Sequence, residues 1–342
     1  MKLSQHRILT THVGSLPRSE EVFKLVFAKE AGEKIDMNHY DQVIADAVQT
    51  VVRKQTDVGV DVVSDGEQSK ISYATYIKHR LNGFDGDSPR RTPKDLEEYP
   101  AFSKRASSSG GVPTYSRPQC VGPISVKDLK PLEVDLQNFK DALSVSEATD
   151  AFMNAASPGV IAQFQPNQHY PDHSSYLYAL ADAMKVEYEG IAEAGLVIQI
   201  DSPDLALGRH VLFKDQSDEE FVAMAELHIE ALNHALQNIP AEQLRLHVCW
   251  GNYQGPHHCD IEMKKILPAV LKAKPMALSF EGANPRHSHE WSVFRDAKIP
   301  ENKVLIPGVL DSTTNFVEHP ELVAERILSL IHISEPTRQF AL

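Results

Sequence analysis

The chain has 342 residues, and its 34 basic and 47 acidic side chains give a formal charge of −13. This acidic balance disfavours nucleic acid and anionic membranes as partners, and no apolar run is long enough to span a bilayer. Three cysteines do not make a disulfide framework, and residues 1–7 lack the apolar core of a secretory signal. We therefore expect a cytoplasmic protein with reduced thiols and with neither a nucleic-acid nor a membrane partner.

The first part of the chain alternates strands and helices. A β-branched strand over residues 8–17 precedes a helix that Ser19 caps, and a second helix runs from near Asn38 to just before Gly59. Residues 60–67 then form a short apolar strand that ends in carboxylates. This order of helix, glycine, apolar strand and terminal polar residue recurs later in the chain.

Residues 84–123 interrupt the pattern with proline, serine, glycine and charge. We predict a surface excursion or lid there, with mobility near residues 107–111. The remaining strands are predicted at residues 159–164, 196–201, 244–248, 276–281 and 304–311. Intervening helices are predicted over residues 174–194, from a capping box of Ser217 and Glu220, from about residue 260, and over residues 320–331.

Repeated strand–helix units with apolar strands indicate a parallel sheet covered by helices, either doubly wound or closed as a (β/α)8 barrel. Polar residues at the carboxyl ends of the strands favour the barrel, because its active sites lie at that end. No glycine-rich nucleotide-binding motif follows the first strand, which weakens the doubly wound alternative. We expect one α/β domain of the TIM-barrel type over residues 1–331, with the excursion at about residues 84–123.

The strand at residues 244–248 leads into the most informative pair of side chains. His247 and Cys249 are two residues apart, so on a strand they project from the same face. One nitrogen and one sulfur donor suit a tetrahedral zinc ion. A buried structural histidine beside a buried small thiol would give the same pattern, so the motif alone leaves both interpretations open.

Six short stretches follow one another along the chain: VGSLP at 13–17, SDGE at 64–67, QIDSP at 199–203, HVCW at 247–250, SFE at 279–281 and PGVLD at 307–311. Together they resemble the catalytic barrel of the cobalamin-independent methionine synthase family. The resemblance implies a zinc-dependent methyltransferase of methionine biosynthesis. Such an enzyme moves a methyl group from a 5-methyltetrahydrofolate-type donor to the thiol of homocysteine or a related small thiol.

The resemblance also implies a metal site and a catalytic residue. It implies Zn²⁺ ligation by His247 and Cys249, with Glu281 as a further ligand in some members. It implies a catalytic role for Asp311. A free thiol has a pKa of about 8.5, so a zinc ion that binds the substrate thiol would remove its proton and leave a nucleophilic sulfur.

A pocket for the amino acid is implied by the same resemblance. Glu67 and Asp201 would receive the ammonium group of homocysteine, while Ser15 and the backbone around Gly14 would hold its carboxylate. Charged acceptors suit an ammonium group taken from water, and a glycine allows a backbone N–H to approach an anion. The alternative is that the two carboxylates pair with basic barrel residues or cap the following helices.

The sequence departs from the family pattern at its carboxyl end. The family's last strand carries a further zinc cysteine, yet no cysteine follows Cys259 and residues 332–342 resemble neither that strand nor its helix. We expect that the eighth β/α unit is missing and that residues 332–342 are not native. Cys259 could join His247, Cys249 and a neighbouring histidine in a four-ligand site, although a helix beginning near Asp260 would point it away.

The methyl donor is open as well. Ser312 stands where the family has a histidine after Asp311, and residues 166–170 do not match the tryptophan that stacks on the pterin. The alternatives are therefore a thiol alkyltransferase with a non-folate donor and an inactive or weakly metal-binding truncated barrel. A barrel metallohydrolase is disfavoured because His12 lacks the second histidine of a His-x-His motif, and a zinc-free decarboxylase-like barrel is disfavoured by the His-x-Cys pair.

Overall fold

The structure is a computed structural model that describes residues 1–109 and 115–333. Its strands in these ranges are Val62–Val63 (β1), Leu81–Asp85 (β2), Gln119–Val126 (β3), Asp150–Ala156 (β4), Val197–Asp201 (β5), Leu244–Val248 (β6), Ala277–Glu281 (β7) and Val304–Gly308 (β8). Six of them form a parallel sheet in the order β1-β4-β5-β6-β7-β8, and β2 pairs antiparallel with β3.

Helices cover this sheet. Those of the described ranges are Glu20–Glu30 (α1), Met37–Asp57 (α2), Lys94–Glu97 (α3), Pro100–Ser109 (α4), Lys130–Ser144 (α5), Pro158–Phe164 (α6), His173–Glu193 (α7), Gly208–Val211 (α8), Asp218–Ala235 (α9), Met263–Val270 (α10), Trp291–Asp296 (α11) and Pro320–Ile333 (α12). The predicted caps are confirmed, because Ser19 accepts from the backbone N–H of Val22 and Ser217 forms a capping box with Glu220. No helix in the described part is long and apolar enough to cross a membrane.

The architecture is the partial TIM-type barrel that the sequence predicted, a curled parallel sheet with helices outside. Thr11 extends the sheet by a single parallel bridge to Val62, so the strand predicted over residues 8–17 is reduced to one bridge. Between residue 115 and residue 333 no strand joins β8 to the Thr11 segment. The expectation for residues 332–342 falls almost wholly outside the described residues.

The strand predicted at residues 159–164 is wrong, because these residues form helix α6 and the strand β4 lies before them. Ser157 caps the helix by accepting from the N–H of Val160, and Pro158 occupies its first turn. The helix is buried on nearly every side. A fully buried helix and a fully buried strand both read as a continuous apolar run, so periodicity could not separate them.

The excursion predicted at residues 84–123 is more ordered than its composition suggested. It contains α3 and α4 and ends in β3, which pairs with β2. Cys120 is fully buried on β3, and its thiol donates to the carbonyl of Gly122. Of the residues predicted to be mobile, 107–109 belong to α4, and 110–111 lie outside the described residues.

The inside of the curled sheet is layered, because side chains alternate along each strand. Its lower layer holds the guanidinium of Arg245, which lies 3.4 Å from the ring centroid of Phe152. Two small clusters of apolar side chains lie near the amino end of the chain, Val62 with Phe152 and Val197, and Ala277 with Val304 and Ile306, and Met1 packs against both. Two residues further along three of these strands come Asn154, Gln199 and His247, which places polar groups above an apolar floor.

Candidate active site

The polar layer rests on Arg245 at the centre of the sheet. Its Nε donates to Gln199 Oε1 at 2.7 Å, and its terminal nitrogens donate to Thr11 Oγ1 at 3.0 Å and to the carbonyl of His12 at 2.7 Å. Burial lowers the pKa of this guanidinium to about 9. Arg245 thereby ties the amino-terminal segment to the middle of the sheet and fixes the orientation of Gln199.

Asp201, at the carboxyl end of β5, collects three hydrogen bonds. Gln199 Nε2 donates to its Oδ1 at 2.7 Å and Asn154 Nδ2 donates to its Oδ2 at 2.9 Å. His247 Nδ1 lies 3.0 Å from Oδ1. Because a carboxylate oxygen accepts hydrogen bonds, Nδ1 carries the proton and donates it. The lone pair of His247 Nε2 is then available to a ligand, the arrangement in which a carboxylate orients a metal-binding histidine.

Cys249 and Glu281 lie beside this histidine at the ends of neighbouring strands. Backbone N–H groups of Gly251 and Trp250 donate to Cys249 Sγ at 3.1 Å and to Glu281 Oε1 at 3.0 Å, while Asn284 Nδ2 donates to Glu281 Oε2 at 3.0 Å. Burial, together with the adjacent Glu281 carboxylate, raises the pKa of the Cys249 thiol well above its usual range. A cation is the partner that would hold this sulfur as a thiolate.

The nitrogen, sulfur and oxygen donors of His247, Cys249 and Glu281 fit zinc in type. Their spacing is wider than in a bound site, because within the described residues they do not form a group whose ligand atoms all lie within 4.8 Å of one another. The structure therefore brings the three side chains to one end of the barrel without drawing them into a compact cluster.

The two motifs at residues 13–17 and 64–67 meet beside Asp201. Ser64 Oγ donates to the carbonyl of Gly14 at 3.3 Å, and the N–H of Leu16 donates to the carbonyl of Gly66 at 3.1 Å. Gly14 has a φ of +127°, and a Cβ there would lie 2.4 Å from the side chain of Asn154. Glycine is required at this position for both reasons. Ser15 is exposed at the surface of the same turn.

Glu67 is buried at the turn after β1 with a positive φ of 55°. Its backbone N–H donates to Asp65 Oδ1 at 3.0 Å. Burial raises the pKa of its carboxyl group to about 8, and the carboxylates of Asp201 and Asp65 add to this while Lys70 opposes it. At neutral pH this carboxyl group is therefore largely protonated, and a bound cation would favour its ionised form.

Asn154 is a site residue that the sequence reasoning missed. Its Nδ2 donates to Asp201 at 2.9 Å and to the carbonyl of Val13 at 3.0 Å, and its buried Oδ1 has no hydrogen-bond partner among the described residues. The misplaced strand at residues 159–164 hid it. With β4 placed correctly, the polar residue two positions before Ala156, between two apolar neighbours, would have marked it.

Asp311 is held by its own loop. Its Oδ1 accepts from both the N–H and the hydroxyl of Thr313, at 2.9 and 2.7 Å, and its own N–H donates to Glu318. No hydrogen bond of the described residues joins it to His247 or Glu67. The structure therefore does not bring the predicted catalytic residue into the network around Asp201.

Helix α10, which was predicted from about residue 260, begins at Met263, so residues 257–260 belong to the loop after β6. His257 donates from Nδ1 to Asp260 and from Nε2 to the carbonyl of Tyr253, at 2.9 Å each, so neither nitrogen is free for a metal. Cys259 meets Glu98 and His258. The alternative four-ligand site around Cys249 and Cys259 is accordingly not assembled among the residues described.

Comparison with known proteins gives a consistent result. A model of the cobalamin-independent synthase catalytic domain matches residues 8–89. The chain is similar to the methionine synthase of Saccharolobus solfataricus, with 27% identity over 334 residues that cover 96% of this chain and 85% of that protein. It is similar to the methionine synthase of Sulfolobus acidocaldarius, with 25% identity over 328 residues that cover 96% and 82%.

Two solved structures share the fold at lower identity. A B12-independent methionine synthase from Shewanella sp. W3-18-1, in complex with selenomethionine, matches with a TM-score of 0.67 and 19% identity, covering 90% of this chain and 82% of that one. A putative vitamin-B12-independent methionine synthase from Listeria monocytogenes matches with a TM-score of 0.66 and 18% identity, covering 98% and 91%.

Proposed function

Because the chain belongs to the cobalamin-independent methionine synthase family, we propose that it transfers a methyl group to the thiol of homocysteine or a related small thiol. The observation that carries the proposal is the position of His247. Asp201 orients its ring, and Cys249 and Glu281 stand at the adjoining strand ends. A metal-binding pair next to an amino-acid pocket is what activation of an amino-acid thiol requires.

We propose that His247 Nε2, Cys249 and Glu281 hold a zinc ion. When bound, the ion would lower the pKa of the substrate thiol and keep its sulfur nucleophilic at neutral pH. Asp201 fixes the ring of His247, and Asn284 fixes the carboxylate of Glu281. These hydrogen bonds restrict the side-chain orientations of His247 and Glu281 before the metal binds.

The amino-acid end of the substrate would lie between the two motif turns. Glu67 and Asp201 would accept the ammonium group, and Oδ1 of Asn154, which no described residue contacts by a hydrogen bond, offers a further acceptor. The backbone at Gly14 would approach the carboxylate, with Ser15 at the rim. The Shewanella relative was solved with selenomethionine, an amino acid with the backbone of the proposed product, and this supports such a pocket.

The proposed donor is a 5-methyltetrahydrofolate-type compound, and a thiol alkyltransferase with a non-folate donor is the second candidate. The environment of Asp311 favours the second candidate. Protonating a folate nitrogen would need an acid near the leaving group, but the Asp311 carboxylate is engaged by Thr313 and Ser312 follows it. A catalytic role for Asp311 would require this loop to rearrange.

The test is methionine formation from homocysteine and labelled 5-methyltetrahydrofolate by zinc-loaded protein. We expect Cys249→Ser to lower the rate more than about 100-fold, because even outer partners of a metal ligand change affinity by about 10- to 100-fold. Cys120→Ala is the matched control, since this thiol lies away from the site. Equal rates in the Cys249→Ser variant would refute the zinc role.

Assays with several methyl and alkyl donors separate the methionine synthase, the alkyltransferase and the inactive barrel. Transfer from a simple S-methyl or alkyl donor without transfer from the folate would select the alkyltransferase. No transfer from any donor, by zinc-loaded protein that unfolds cooperatively, would select the inactive barrel.

A further inference from the structure

A second group of metal-ligating side chains lies outside the site described above. Ligand atoms of Glu98, His258 and Cys259 all lie within 4.8 Å of one another. His258 Nε2 is 2.9 Å from Glu98 Oε2. Glu98 and His258 are exposed and Cys259 is partly buried, so a solvated ion can reach them. The three residues come from two segments, the excursion after α3 and the loop between β6 and α10.

The two segments are already fixed against each other beneath this group. Asp95 of α3 is fully buried and accepts from the hydroxyl of Tyr253 at 2.8 Å and from the backbone N–H of His257 at 2.9 Å. His257 in turn is locked between Asp260 and the carbonyl of Tyr253. The next two residues of the chain are therefore presented to Glu98 by an ordered loop, which lowers the entropic cost of binding an ion.

We propose that Glu98, His258 and Cys259 form a second zinc site, which clamps the excursion to the loop between β6 and α10. The donors are one oxygen, one nitrogen and one sulfur, the mixture that zinc accepts. Zinc bonds of about 2.0–2.3 Å place tetrahedral ligands about 3.3–3.8 Å apart, so small side-chain rotations complete the site. Three protein ligands leave the fourth position to water.

The ion would bind Cys259 as a thiolate and release its proton. Burial, with the nearby carboxylates of Glu98 and Asp95, raises the pKa of the Cys259 thiol. Zinc binding therefore competes with protonation and weakens as the pH falls. Neutralising part of the charge of Glu98 and Asp95 is a further gain from the cation.

The experiment measures alkylation of each cysteine separately by peptide mass spectrometry, on the full chain with and without zinc. At a zinc concentration about 100 times the dissociation constant, about 1% of sites are free, so labelling of Cys259 should slow about 100-fold. Glu98→Gln and His258→Gln should each remove most of that protection, because both residues are exposed and the fold does not depend on them. Cys249→Ser should leave the protection of Cys259 unchanged.

Two results would overturn the proposal: equally fast labelling of Cys259 with and without zinc, or protection that survives in both the Glu98→Gln and the His258→Gln variants. A second readout uses Co²⁺ in the Cys249→Ser chain. A thiolate-to-cobalt absorption band there, lost when Cys259→Ser is added, would support the site, and a band that persists would refute it. Neither readout depends on methyl transfer, so failure of the proposed function would leave this test intact.

Discussion

Replacing Glu67 by Gln should stabilise the protein in a pH-dependent way. Glu67 is only 4% exposed, and burial raises the pKa of its carboxyl group to about 8, from an ordinary value of 4.5. At neutral pH the unfolded chain carries this group ionised, while the folded chain carries it largely protonated. Its contribution to stability is therefore complete below about pH 4.5 and is lost as the pH rises through about 8.

A glutamine at this position has no proton to take up on folding. From the two pKa values, the variant should exceed the wild type in free energy of unfolding by about 1 kcal/mol at pH 5 and by about 3 kcal/mol at pH 7. The assay is equilibrium urea unfolding of both proteins at each pH, followed by tryptophan fluorescence. Glu301→Gln is the control at an exposed acid and should change stability by less than about 0.5 kcal/mol.

A difference between the Glu67→Gln variant and the wild type that does not change with pH would refute this reasoning. Binding provides the second readout. An amide carries no charge to pair with an ammonium group, so the stabler variant should bind methionine more weakly by calorimetry. The wild-type residue would then be retained for its ligand at a cost in stability.

Three further outcomes are expected. Gly14→Ala places a Cβ 2.4 Å from an asparagine side chain at a φ of +127°, so urea unfolding should show a loss of about 1–3 kcal/mol; an unchanged midpoint would contradict the close approach. Gln199→Leu removes a donor to Asp201, so zinc affinity measured against a chromogenic chelator should fall about 10- to 100-fold, and unchanged affinity would count against the orienting role. A hydrogen bond from Arg7 lowers the pKa of Asp61 to about 2, and this stabilises the wild type above about pH 4 by an amount that is lost towards pH 2. Asp61→Asn should lack this contribution. Acid-unfolding curves of the two proteins that run parallel would contradict the prediction.

The sequence predicted those parts of the fold whose signals are local. Capping residues located α1 and α9, and Gly59 and Gly195 marked the ends of α2 and α7. The alternation of β6 is a local signal that predicts which residues share a face with His247, because side chains alternate along a strand with a period of two residues. Its neighbour two positions on follows the same parity, so the pair was readable without any knowledge of distant residues.

The parts that the sequence could not predict depend on distant contacts. The apolar residues of α6 gave no period, and the resulting error hid Asn154. Arg245 stands in an apolar strand, and only the structure shows that its partners are Gln199 and the amino-terminal segment. Glu98 and Cys259 likewise lie close together, although nothing in the sequence of either segment predicts this contact.

The stacking of Trp250 has an optical consequence. Its indole lies 3.9 Å from the imidazole of His287 at an interplanar angle of 22°, and its N–H donates to the carbonyl of Ile261. Burial opposes protonation of His287, but hydrogen bonds to Asp260 and Glu290 raise its pKa to about 9. An imidazolium in this position accepts an electron from the excited indole and quenches its emission.

The fluorescence of the native protein should therefore be dim at neutral pH and brighten as His287 loses its proton. The other tryptophan of the chain, Trp291, is partly exposed and supplies a red-shifted background. Trp250 follows Cys249 directly, and its backbone N–H donates to Glu281. Its fluorescence should therefore report on changes at the residues that would bind the metal. Ligand binding at this end of the barrel can be followed by that signal without any added dye.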